Sequence, residues 1–239
     1  MTSGGAARAL GRSGPPNAPG ASVKLETWFP LAIGSTDLDP SPAITAGMLA
    51  DLEPEIAAAA AQRRLGFAWT GDVNECGQIH QRTAFAWLGD EVTREAAAFA
   101  LALGCDLERL QVEVQSSWPV LSEPEETVAP HAHLGASLSA VYYLSVPEGL
   151  GGTLVFENVG VPNSLGAEFG EPGTPLTREA NPLNLREACY APRAGRLLVF
   201  PARQTHAVRA HQAEALRISI TFDLVLVPRG PAEPSAAQA

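Results

Sequence analysis

The stretch Ala129–Glu157, APHAHLGASLSAVYYLSVPEGLGGTLVFE, places two of the chain's five histidines, His131 and His133, one residue apart at the start of a β-rich run. In an extended backbone, residues i and i+2 project to the same face, so both imidazoles point to one place. Such spacing begins a metal site. It is equally the look of two solvated histidines at a strand end, so the rest of the chain has to separate the readings. From Arg109 onward short β runs dominate: RLQVEVQSSW, LSAVYYLSV, GTLVFEN, GRLLVFP and LRISITFDLVLV. Gly and Pro separate them and no helical segment alternates with them, which predicts an antiparallel sandwich or barrel rather than a βαβ sheet.

Upstream the pattern is helical. SPAITAGMLADLEPEIAAAAAQRR is Ala-rich, with Pro54 starting a second helix or kinking one. GDEVTREAAAFALALG offers Asp90 as an N-cap, an apolar stripe, and Gly104 as a stop. The expected architecture is therefore mainly β with N-terminal helices (α+β): one domain over residues 24–227, with helical support over about 41–104 and a β core over about 109–227. The Pro- and Gly-rich run 159–193 reads as a lid-like loop. Residues 1–23 read as a disordered leader and 228–239 as a disordered tail.

Composition limits the partners. A formal net charge of −10 without a basic stripe argues against nucleic acid and anionic membrane surfaces. No window approaches the roughly 18 continuous apolar residues of a membrane span. Cys76, Cys105 and Cys189 are few and far apart, which suggests reduced thiols in a cytoplasmic setting rather than a disulfide framework.

The C-terminal run GRLLVFPARQTHAVRAHQAEALRISITFDLVL supplies a third histidine and an arginine. Leu216, Ile218, Ile220, Phe222 and Leu224 alternate with Arg217, Ser219, Thr221 and Asp223. If HAVRAHQAEALR is a hairpin turning near His211 and Gln212, His206 and Arg217 fall opposite each other. Alternation alone leaves the Arg217 face either a polar pocket or a wet surface.

In order along the chain, HAH, LSAVYYL, GTLVFEN, GRLLVFP, HAV and RISITF resemble the motifs of the 2-oxoglutarate and Fe(II)-dependent oxygenases, enzymes with a double-stranded β-helix (jelly-roll) core. The resemblance covers about Gln115 to Leu224. It implies that His131 and His206 bind iron and that Arg217 anchors the far carboxylate of 2-oxoglutarate, with Ser219 and Tyr143 as further hydrogen-bonding partners. It also implies hydroxylation of a small-molecule substrate by molecular oxygen, with succinate and carbon dioxide as products. The departure is at His133, where the broad superfamily usually carries an acidic ligand; a histidine leaves three neutral ligands. Glu157 is a rival third ligand. Two other functions compete: a three-histidine dioxygenase of the cupin type that needs no 2-oxoglutarate, and a non-catalytic metal-binding jelly-roll module.

Overall fold

The computed structural model describes residues 26–62, 64–149, 151–160, 163 and 181–229. Two units divide at Leu31. In the first, only 26–31 are described, an exposed segment in which the Trp28 and Phe29 rings lie 6.5 Å apart. Every element below belongs to the second.

The helical part forms largely as its residues dictate. Helix α1 (Pro42–Asp51) starts at Ser41, whose side chain accepts a hydrogen bond from the Ile44 amide, with a proline in the first turn where its missing N–H costs nothing. Pro54 does the same for α2 (Glu53–Ala61), so the proline starts a second helix. Helix α3 (Ala86–Ala102) buries Leu88, Val92, Ala96 and Ala100 at four-residue spacing. It does not begin at Asp90: a 3₁₀ turn over Thr83–Phe85 runs straight into it, because burying Phe85 and Leu88 extends the helix past a polar cap. Gly104, at φ +89°, lies just beyond its end. No described helix is long and apolar enough to cross a membrane.

Among the described residues, ten antiparallel strands make two sheets. The larger has the order β1 (Gly34–Asp37), β8 (Arg196–Pro201), β5 (Leu138–Ser145), β10 (Arg217–Pro228), β3 (Leu110–Ser122), β2 (Trp69–Thr70). The smaller has the order β4 (Val128–His131), β9 (His206–Val208), β6 (Leu154–Glu157), β7 (Glu187–Tyr190). This is the mainly antiparallel jelly-roll architecture expected. Ala140, Tyr142, Leu197, Val199, Ile218, Ile220 and Phe222 of the large sheet pack toward the helices around Leu88 and Val92. Val141, Tyr143, Leu198 and Phe200 on its other face meet Leu154 and Phe156 of the small sheet. With both faces covered, β5 and β8 read as continuous apolar runs instead of alternating ones.

Three sequence expectations need correction. Residues 206–217 are not a hairpin: β9 pairs with β4 and β6 in the small sheet, whereas β10 lies in the large one. The chain crosses between sheets there, held by Gly152 N–H donating to Ala210 O at 2.9 Å and Glu125 N–H donating to His211 O at 3.0 Å. His211 is therefore buried, its Nε2–H donating to Ser122 O at 2.9 Å, rather than exposed at a turn. Finally, the lid-like loop 159–193 contains β7, which pairs with β6 because its backbone completes the edge of the small sheet. Residues 161–162 and 164–180 of that loop lie outside the described residues, as do the expected leader 1–23 and residues 230–239 of the tail; at the tail's start, Arg229 N–H donates to Arg109 O at 2.7 Å.

Candidate active site

His131 ends β4 and His206 begins β9, and the two are direct ladder partners. His133 lies past the end of β4, its amide donating to Ala202 O at 2.8 Å, which turns its ring back toward the pair. Ring centroids are 4.3 Å apart for His131–His206, 5.0 Å for His131–His133 and 5.2 Å for His133–His206. One nitrogen from each ring lies within 4.8 Å of the others, a spacing that can hold one metal ion.

The outer nitrogens decide what the inner ones can do. Nδ1–H of His131 donates to Ala129 O at 2.8 Å, and Nδ1–H of His206 donates to Gln204 O at 2.9 Å. Nδ1 of His133 lies 3.0 Å from Asp223 Oδ2. With Nδ1 engaged as donor, Nε2 keeps its lone pair, the tautomer a metal ligand needs. His133 Nε2 is buried with no hydrogen-bond partner, an orphan that a cation would satisfy. Burial pushes the His206 imidazolium down to about 4 and lowers that of His131, the backbone acceptors only partly offsetting it. Both rings are therefore neutral near pH 7, and protons compete weakly for the lone pairs. The donor set fits a divalent first-row ion.

Arg217 presents the second feature. It is 1% exposed, donating from Nη1 to Gly152 O at 2.7 Å and from Nη2 to Ser122 Oγ at 2.8 Å, and its Nε has no partner. Among the described residues no carboxylate pairs with it, so a permanent cation sits in the interior against neutral groups. Ser219 and Tyr143, ladder partners, share this inward face. Burial pushes the Tyr143 phenol up to about 12, with Arg217 pulling weakly the other way, so the hydroxyl stays protonated and can donate. Gly152, at φ +67°, has no side chain because a Cβ there would stand 2.8 Å from Arg217 Nη1.

Glu157 stands outside the histidine group. Phe156 pairs with His206 and packs inward, so the adjacent Glu157 points to the opposite face, in register with Glu187. His80 is elsewhere, with Nδ1 2.7 Å from Ser117 Oγ. Trp118 stacks on His133 at 5.7 Å and 27°, and Phe200 meets His206 edge-on at 4.8 Å. Sequence reasoning gave no role to Asp223, Ser122 or Gly152. Asp223 was visible on the polar face of β10, but alternation could not say that this face was an interior.

A jelly roll that gathers three imidazoles at its small sheet and a buried guanidinium on its large one can hold a metal ion and a carboxylate ligand. Residues 116–223 match the family model described as "Putative 2OG-Fe(II) oxygenase", a span that includes the three histidines, Arg217 and Asp223 and makes this stretch similar to a family named for Fe(II) and 2-oxoglutarate. Among solved structures, a prolyl-4-hydroxylase from Pseudomonas putida is 16% identical, with 84% of this chain and 94% of that one covered and a TM-score of 0.52. HygX from Streptomyces hygroscopicus, with nickel and 2-oxoglutarate bound, is 12% identical, with 82% and 83% covered and a TM-score of 0.52. These likenesses are of fold. An oxidoreductase of the 2OG-Fe(II) oxygenase family from Burkholderia pseudomallei is 18% identical at a TM-score of 0.43; the alignment covers 61% of this chain and 58% of that one, so the chain spans less than two thirds of its length. No curated protein matches the chain.

Proposed function

We propose that the chain couples oxidative decarboxylation of 2-oxoglutarate to hydroxylation of a small-molecule substrate. One atom of molecular oxygen goes to succinate and the other to the hydroxylated product, with carbon dioxide released. In this reading His131, His133 and His206 hold the iron, and Arg217, with Ser219 and Tyr143, holds the distal carboxylate of the cosubstrate. Bound there, ferrous iron would supply the redox chemistry between the 2-oxo acid and oxygen.

The observation that carries the proposal is Arg217, a guanidinium 1% exposed and without a carboxylate partner among the described residues. A buried cation is costly unless an anion joins it, and a planar guanidinium suits a carboxylate. Phe156, Phe200, Leu154 and Leu198 exclude water from the space between the sheets, which strengthens that pairing. A cytoplasmic setting is part of the same proposal. Three histidines without a carboxylate ligand also suit a dioxygenase that needs no 2-oxoglutarate, but such a site has no use for Arg217.

The test is succinate formation by protein loaded anaerobically with iron, across a panel of small molecules. Succinate should appear only with iron, oxygen and 2-oxoglutarate together, and should rise with the right substrate. Substrate oxidation at full rate without 2-oxoglutarate would move the protein to the second reading.

A further inference from the structure

We propose that Asp223 is a positioning residue for His133: its carboxylate fixes the Nδ1–H tautomer, so presenting Nε2 to the metal, and brings a negative charge to the edge of a site whose ligands are all neutral. The inference rests on the reading of His133 as a ligand and adds to it what makes a histidine workable at that position.

The three rings are not held alike. His131 and His206 are each tied by the backbone carbonyl two residues upstream, a local contact that involves no other side chain. His133 alone is tied by a carboxylate, 90 residues further along the chain, at 3.0 Å. That carboxylate is itself held: Ser139, the ladder partner of Asp223 on β5, donates its hydroxyl to Oδ1 at 2.8 Å. One oxygen is thus fixed by the sheet and the other is aimed at the ring. Both side chains are mostly withdrawn from water, at 11% and 15% exposure, and Trp118 stacks on the imidazole. In such surroundings a hydrogen bond to a charged acceptor gains strength, and it raises the basicity of the opposite ring nitrogen.

Charge gives a second reason. Two histidines and one carboxylate cancel half of a divalent ion's charge, whereas three histidines cancel none. Asp223 restores one negative charge just beyond the ligands. Its field also favours positive charge at His131 and His206, although burial outweighs it there.

The test combines Co(II) titration of the metal-free full-length chain with nitrogen NMR of its histidine rings. Asp223→Ala should weaken Co(II) binding about 10- to 100-fold. Asp223→Asn keeps an acceptor but loses the charge, so it should fall at the lower end, near tenfold. In both variants the rings of His131 and His206 should remain Nδ1–H. The His133 ring should be wholly Nδ1–H in the parent and should shift toward Nε2–H in Asp223→Ala. A merely structural role for Asp223 would not move one ring's tautomer alone. Parental Co(II) affinity in both variants, or weakened binding with His133 still wholly Nδ1–H in Asp223→Ala, overturns the proposal. His133→Ala separates the two levels. If it binds Co(II) as the parent does, His133 is no ligand and the underlying reading fails. If it loses binding while the Asp223 variants do not, only the role of Asp223 fails.

Discussion

Replacing Arg217 by methionine removes the charge while filling most of the same volume. In the parent, the guanidinium is held by Gly152 O and Ser122 Oγ with no carboxylate partner among the described residues, so in the proposed complex it is the cosubstrate that completes the pairing. Losing one partner of a buried, hydrogen-bonded charge pair costs about 2–5 kcal/mol. At about 1.4 kcal/mol per decade this corresponds to roughly 30- to several-thousand-fold weaker 2-oxoglutarate binding. Folding should respond less, because the acceptors left unpaired cost about 1–3 kcal/mol each while relief of a buried, uncompensated cation works in the other direction. The assay is anaerobic calorimetric titration of 2-oxoglutarate into the metal-loaded protein, with Co(II) affinity measured in parallel. Cosubstrate affinity should collapse and metal affinity should hold. Equal 2-oxoglutarate affinity in variant and parent would refute the anchor. The replacement would then have to be Arg203 or Arg209, of which Arg209 is exposed and already paired with Glu187.

His131→Ala and His206→Ala should each abolish tight Fe(II) binding, measured as metal content after anaerobic loading, whereas Glu157→Ala should retain it; unchanged iron in either histidine variant would remove that residue from the site. Gly152→Ala should cost about 1–2 kcal/mol from its left-handed backbone alone. Its new Cβ, 2.8 Å from Arg217 Nη1, should also weaken 2-oxoglutarate binding while sparing Co(II), and a parental calorimetric titration would contradict this. Stability of the metal-free protein should depend on pH through His206, whose folded value is about 4 against an ordinary 6.5. Above 6.5 both states are neutral and the group contributes nothing; as pH falls from 6.5 to 4 only the unfolded chain takes up the proton, so stability drops, by up to about 3 kcal/mol, and levels off below 4. Denaturant midpoints at a series of pH values should fall across that window in the parent and fall less in His206→Gln.

Periodicity and turn chemistry are local, and they made the antiparallel architecture, a start or kink at Pro54 and the apolar run of Ile218, Ile220 and Phe222 legible in the sequence. The i+2 spacing of His131 and His133 is likewise local, and in an extended backbone it puts two imidazoles together. What stayed hidden depended on which sheet each segment joins. His206 and Arg217 are close in sequence, and a hairpin was the simplest way to bring them together; the structure instead sends them to opposite sheets that face each other. Alternation distinguishes the two faces of β10 but carries no sign of whether the polar one meets water or a second sheet. Only the packing of β10 against the small sheet makes Arg217 a buried cation and turns Asp223 toward a histidine 90 residues away. A side-chain pair at that separation is set by register and sheet pairing, and these are settled when the whole core closes.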